Sequence, residues 1–282
     1  MKYVDIEKQI NNSNSLLLKK LPHFIINGLV KFVRQDEINL IINKYIDKEG
    51  VEFLSAVLKE LNINIDAEGL DNLPENGKCF FVANHPFGFV DGLILTYLVG
   101  SKYGEFRAIG NEYFNLIPQL RSSVVLVSVF GKSSREYILE VDRIFRSGIP
   151  VTHFPAGRVS RMKNWRVWDI PWQKSFISKS VSCERNIVPI FFEGRNSVLF
   201  YAVFLIRKFF RIKANLELSF LPHEIFNKRH KTIRVKIGKP IPYQTFDQSK
   251  SAREWSLEVR KTVYGLCKKR YKALESDSEI SL

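Results

Sequence analysis

With 282 residues, 45% of them apolar and 13% aromatic, the chain can bury a sizeable core in one large or two small domains, which excludes bulk disorder. Its 43 Lys and Arg against 29 Asp and Glu set a formal charge of +14, so anionic partners are expected: nucleic acid, lipid headgroups, an acidic carrier protein or a phosphate-bearing coenzyme. Three scattered cysteines, Cys79, Cys183 and Cys267, exclude a disulfide framework and a CxxC metal site, and fit a reducing compartment.

Met1 to Ser15 is polar and mixed in charge, so no secretory signal is expected. No apolar run reaches the ~18–20 residues needed to span a bilayer. The longest, Val198 to Ile206, is far too short. Residues 1–73 are predicted to be amphipathic helices with possible membrane-surface contact, and residues 74–282 to be the main domain. Pro22 can open a helix whose Phe24, Ile25, Leu29, Phe32 and Val33 form an apolar stripe among Lys19, Lys20, Lys31 and Arg34. Two further amphipathic stretches carry Ile38, Ile41, Ile42 and Tyr45, then Phe53, Leu54, Val57, Leu58 and Leu61.

After the turn-like Leu73-Pro74-Glu75-Asn76-Gly77 the pattern changes. Strands are predicted at Cys79–Ala83, Phe106–Ile109, Val124–Val129, Val151–Phe154, Ile187–Phe192, Leu216–Leu221 and Ile233–Ile237. Between them, Ser134 to Ser147 reads as a helix: Ser133 and Glu136 have capping-box spacing, Gly148 closes it and Pro150 stops continuation. A last helix is predicted from about Ala252 to Leu274, burying Trp255, Val259, Val263, Leu266 and Tyr271. The alternation implies an α/β fold: a largely parallel mixed sheet flanked by helices, with an N-terminal helical segment.

Two loops carry the chemistry. In Asn84-His85-Pro86-Phe87-Gly88-Phe89-Val90-Asp91, a buried strand ends at a histidine and a carboxylate follows at the start of an apolar helix. Ligands of open α/β sheets bind beyond the carboxyl ends of strands. Asp91 can fix the imidazole tautomer while His85 removes a proton from a hydroxyl. The plainer alternative is a structural histidine and an Asp91 that only caps the helix. In His153-Phe154-Pro155-Ala156-Gly157-Arg158-Val159-Ser160-Arg161, Gly157 admits close backbone approach, and Arg158 or Arg161 can clamp a phosphate or carboxylate. The plainer alternative there is a tight turn with solvated arginines. The sequence contains no G-x-S-x-G, H-E-x-x-H, Walker or G-x-G-x-x-G motif, which excludes the commonest hydrolase, zinc peptidase, nucleotidase and dinucleotide readings.

These residues resemble the glycerolipid acyltransferase superfamily, typified by lysophosphatidic acid acyltransferases. Its first block is Asn-His, a short spacer and Asp, matched by Asn84, His85 and Asp91. Lys132 before Ser133 is similar to the basic end of the second block. Phe154-Pro155-Ala156-Gly157-Arg158-Val159-Ser160 is similar to the third, Phe-Pro-Glu-Gly-Thr-Arg-Ser, and Ile187-Val188-Pro189-Ile190 to the fourth. All four stand in the family's order between Phe80 and Gly194. Two departures stand out. Five residues rather than four separate His85 from Asp91, which a bulge at Phe87-Gly88-Phe89 could absorb. Ala156 replaces the Glu of the third block and its Arg comes one position early, so the role of that Glu does not transfer.

The departures, with Glu193-Gly194-Arg195-Asn196-Ser197, resemble a bacterial branch labelled haemolysin-like, some of it similar to enzymes of ornithine- or glycine-lipid synthesis. The resemblance implies a fatty acyl transfer from an acyl thioester to the hydroxyl of a lyso-lipid in membrane lipid (phospholipid or aminolipid) synthesis. It implies His85 and Asp91 as catalytic residues, with Asn84, Gly88, Lys132, Gly157, Arg158, Ser160 and Arg161 in the substrate site. It implies neither metal nor resident cofactor, acyl-carrier protein or acyl-coenzyme A as donor, and a peripheral place on the cytoplasmic face of the inner membrane. Ser197 to Lys213, apolar and then basic, together with the Pro22–Arg34 helix, is what an interfacial anchor needs, and Phe87 and Phe89 are candidates for the mouth of an acyl groove. The rival class is a non-enzymatic basic membrane- or nucleic-acid-binding protein. No zinc finger, RNA-recognition aromatic motif or helix-turn-helix pattern supports nucleic acid as a partner.

Overall fold

A computed structural model describes residues 1–12, 19–110, 114, 116–126, 135–163, 166–211 and 216–267. The chain opens with helices α1 (Ile6–Asn12), α2 (His23–Val33), α3 (Gln35–Lys44) and α4 (Gly50–Glu60). Strands β1 (Asn64–Glu68) and β2 (Cys79–Ala83) lead into α5 (Phe89–Tyr103), followed by β3 (Arg107–Gly110) and β4 (Val124–Leu126). Next come α6 (Arg135–Arg146), β5 (Val151–His153) and a hairpin of β6 (Arg161–Lys163) and β7 (Arg166–Trp168). The rest is α7 (Ser175–Ser182), β8 (Asn186–Glu193), α8 (Val198–Phe209), α9 (Leu221–Phe226), β9 (Thr232–Ile237) and α10 (Ala252–Gly265).

Among the described residues, seven strands form one sheet in the order β1-β9-β8-β2-β5-β3-β4. β8, β2, β5, β3 and β4 run parallel; β9 is antiparallel to β8 and carries β1 parallel to itself. The sheet is therefore the mixed, largely parallel one expected. β2 lies at its centre, every residue buried, and its side chains alternate between two cores. Phe81 and Ala83 face the layer of α4 and α5, with Leu54, Leu61 and Ile94. Phe80 and Val82 face α6, α7 and α10, with Phe145, Ile177 and Val263.

The order of chain segments departs from expectation at the sheet edge and at one internal segment. Asn64–Glu68 is an edge strand whose alternation is carried by charge: Asp66 pairs with Arg234 at 3.5 Å and Glu68 with Lys236 at 2.8 Å across to β9. β1 thus places part of residues 1–73 in the main sheet, and Phe53 and Leu54 of α4 share a core with β2. The expected strand Leu216–Leu221 is instead a 3-10 turn, Leu216–Phe220, running into α9. Glu217 is the cause: it is fully buried between Arg161 (3.0 Å) and Arg207 (2.8 Å), which needs a turn that points it inward. The end of the Val124–Val129 strand, the Ser133 cap and residues beyond Cys267 lie outside the described residues.

Candidate active site

His85 stands two residues past the end of β2, at the carboxyl edge of the parallel strands. Asn84 between them ties two strands together: its Nδ2 donates to Phe192 O at 2.9 Å and its Oδ1 accepts from Phe192 N–H at 2.7 Å. The family's Asn is therefore turned into the sheet, joining β2 to β8, with its side chain buried.

Asp91 opens α5 and is completely buried. Its Oδ2 lies 2.9 Å from His85 Nδ1 and also accepts the Phe87 (2.8 Å) and Gly88 (2.9 Å) backbone N–H groups. Asp91 thus caps the helix and holds the imidazole at once, so it does more than cap. Gly88 makes this possible. It has φ +83°, open to glycine without strain, and a Cβ there would stand 2.9 Å from Leu221 Cδ2. The additional residue between His85 and Asp91 is absorbed at this left-handed position. Burial pushes the Asp91 carboxyl up, and His85 with the two N–H donors pulls it back. With Asp91 ionised, Nδ1–H donates to it and Nε2 is left as the basic nitrogen.

The imidazole is stacked on Phe154 at 4.1 Å and 23°, with 17% of its side chain exposed, enough to meet a substrate. The other histidine at this sheet edge, His153, is held down to about 4 by burial and stays neutral, which makes it a poor base.

The third-block loop lies alongside. Ser160 N–H donates to His85 O at 2.8 Å, and Gly157 has φ +63° at the turn. Ser160 is buried, its hydroxyl donating to Asp169 at 2.6 Å. Arg161 points inward to Glu217 and Val159 O (2.6 Å), whereas Arg158 is exposed. Lys132 lies outside the described residues. Phe87 does not line a groove mouth: it is buried, its ring filling the space above Gly194, where a Cβ would come within 2.2 Å of Phe87 Cζ, and Lys228 Nζ stands 4.7 Å from the ring centroid. Phe89 is partly exposed against Phe114 at 5.8 Å.

Asp169 was not legible from the sequence. It follows β7 and accepts the His85 backbone N–H at 3.2 Å, but no family block contains it and an Asp in Trp168-Asp169-Ile170-Pro171-Trp172 reads as a turn residue. Among the described residues no three His, Cys, Asp or Glu side chains converge as metal ligands.

A half-buried histidine backed by a buried carboxylate, at the carboxyl edge of a parallel sheet, is an arrangement able to activate a hydroxyl for group transfer. The acyltransferase family profile matches residues 8–273, and the chain belongs to the acyltransferase family. It is 39% identical over 264 residues to a lyso-glycine lipid O-acyltransferase of Phocaeicola vulgatus, covering 93% of this chain and 95% of that protein. It is 38% identical over 264 residues to a lyso-glycine lipid O-acyltransferase of Bacteroides thetaiotaomicron, covering 93% and 97%. Among solved structures it is similar to the 1-acyl-sn-glycerophosphate (LPA) acyltransferase PlsC of Thermotoga maritima, at a TM-score of 0.46 and 18% identity over 86% of this chain and 91% of that one.

Proposed function

We propose that this acyltransferase moves a fatty acyl group from an acyl thioester to the hydroxyl of a lyso-lipid, with a lyso-aminolipid of the lyso-glycine lipid type as acceptor. The observation that carries the reading is the 2.9 Å contact between His85 and Asp91, in a chain 39% identical to an O-acyltransferase of that lipid. His85 Nε2 takes the proton of the acceptor hydroxyl as its oxygen attacks the thioester carbonyl. The tetrahedral intermediate collapses with loss of the thiolate, which takes the proton back from the imidazolium. Ester and free thiol leave, and His85 is neutral again. The donor carries acyl-carrier protein or coenzyme A, and the surplus of 14 positive charges suits either.

The acceptor headgroup is anionic in this reading, and Arg158 is the exposed cation of the loop beside His85. Arg158→Ala is expected to raise the acceptor KM about tenfold with kcat within about threefold. Steady-state kinetics against acceptor concentration check this, and an unchanged KM removes Arg158 from the site.

The reading also places the protein peripherally on the cytoplasmic face of a bacterial inner membrane. Among the described residues no helix is long and apolar enough to cross a membrane. α8 nevertheless turns Val198, Leu199, Ile206 and Phe209 to solvent, Phe209 at 80% exposure, with Lys208 and Arg211 beside them. α2 does the same with Phe24 and Ile25. Both pack on the Leu216–Phe226 segment, α8 through Arg207 and Glu217, α2 through Phe32 against Phe220 and His223 at 4.6 Å. Apolar faces rimmed by cations suit an anionic bilayer surface. Sedimentation with phosphatidylglycerol vesicles is expected to fall severalfold in Phe209→Ser/Phe210→Ser; unchanged sedimentation rules out α8 as the contact.

The function itself is tested by lipid profiling of a bacterial host supplied with lyso-glycine lipid and expressing the parent or His85→Ala. A di-acylated product that rises with the parent alone is expected. Identical profiles overturn the reading.

A further inference from the structure

We propose that Asp169 is a positioning residue for the acyl transfer, clamping the main chain of His85. The proposal rests on the reading of His85 as base. Its ground is a closed ring of hydrogen bonds. Asp169 Oδ1 accepts the His85 N–H at 3.2 Å and the Ser160 hydroxyl at 2.6 Å, while the Ser160 N–H donates to His85 O at 2.8 Å. The histidine backbone is thus held at both its donor and its acceptor, each through a residue that contacts the other.

The ring is anchored from outside the loop. Asp169 Oδ2 accepts Trp172 Nε1–H at 2.9 Å. The Asp169 N–H donates to the Tyr264 hydroxyl at 2.9 Å, and its carbonyl accepts from Arg260 at 2.8 Å, both side chains coming from α10. Asp169, Trp172 and Tyr264 are buried, so the bonds are shielded from water and geometrically stiff. A general base gains most when its placement is settled before substrate arrives. Asp91 settles the ring orientation, the Phe154 stack limits its tilt, and Asp169 settles the backbone from which the ring projects.

The split between kcat and KM separates this role from mere structure: a base held out of place slows the chemical step and leaves substrate binding as it was. Asp169→Asn keeps the shape and removes the charge, and its amide N–H₂ must face either Trp172 Nε1–H or the His85 and Ser160 donors. Ser160→Ala removes the hydroxyl and leaves the Ser160 backbone bond to His85 in place.

The test is steady-state kinetics of each variant, with lyso-glycine lipid as acceptor and a hexadecanoyl thioester of coenzyme A or acyl-carrier protein as donor. Asp169→Asn is expected to lower kcat about ten- to hundredfold and to leave both KM values within about twofold. Ser160→Ala, which loosens the carboxylate but keeps both backbone bonds to His85, is expected to lower kcat about threefold at the same KM values. Packing loosened throughout the site would raise KM as well. If Asp169→Asn does not fold, the kcat of Ser160→Ala alone decides. Parent-like kcat in the variants, with His85→Ala inactive in the same assay, overturns this proposal alone. An active His85→Ala overturns the base assignment and this proposal with it.

Discussion

Replacing His85 with Ala is expected to slow acyl transfer by about 10²–10⁴-fold, the usual contribution of a positioned general base. The melting temperature should stay close to the parent's. The imidazole is partly exposed and its polar contact is confined to Asp91 Oδ2, which keeps the Phe87 and Gly88 N–H donors when the ring is gone. Asp91→Asn should show the reverse balance. The Asn oxygen can still accept from Nδ1–H, so the activity loss is smaller than for His85→Ala. The amide N–H₂ then stands in place of the buried Oδ1, which has no hydrogen-bond partner, and a neutral oxygen serves the Phe87 and Gly88 donors less strongly than a carboxylate, so the melting temperature falls. Rates under saturating donor, beside thermal melts of the same preparations, separate the two residues. Equal activity of both variants with the parent ends the dyad.

That contrast also marks what could be read in advance. The His85 and Asp91 pair, the strand before it and the helix after it follow from local pattern: an all-apolar β2, a Pro- and Gly-bearing loop, then an apolar α5. What spacing alone left open was whether five intervening residues permit contact. The answer lies in one dihedral, Gly88 at φ +83°, which lets two successive N–H groups converge on Asp91 without moving the histidine away.

The parts not legible depend on partners distant in sequence. Glu217 stands 56 residues from Arg161 by numbering, and its burial between Arg161 and Arg207 turned a strand-like alternation into a 3-10 turn. Asn64–Glu68 has too few apolar residues to read as a strand until β9 supplies Arg234 and Lys236 opposite Asp66 and Glu68. Phe87 and Phe89 are two residues apart and looked equivalent, yet Gly194 draws Phe87 into the core while Phe89 stays near the surface. Asp169 is the same case within the site: it stands 84 positions after His85, and only the fold brings its carboxylate to the His85 N–H.

Arg185→Met is expected to destabilise the fold by roughly 3–5 kcal/mol. Arg185 is completely buried, and burial holds its guanidinium down to about 10, still charged at neutral pH. It has no carboxylate partner in the hydrogen bonds it makes; it serves carbonyls. Nε donates to Phe145 O at 2.5 Å, Nη1 to Ile149 O (2.9 Å) and Cys79 O (3.2 Å), and Nη2 to Ser147 O (2.6 Å) and Ile144 O (3.2 Å). Ile144, Phe145 and Ser147 are at the end of α6, where the helix leaves carbonyls without partners and its dipole favours a cation. Cys79 begins β2, so the same side chain fastens the α6 exit to the strand that carries His85. Met fills the volume and satisfies none of these acceptors. Lys offers a charge but three donors from one point instead of a planar fork, and should recover less than half of the loss. Arg146→Met on the same helix is the control: that residue is exposed and pairs with Asp142 in solvent, so its removal should change stability little. Urea denaturation of the three variants measures the differences. A loss for Arg185→Met no greater than that for Arg146→Met would mean that water reaches the α6 carbonyls and that the guanidinium is not what closes this end of the sheet.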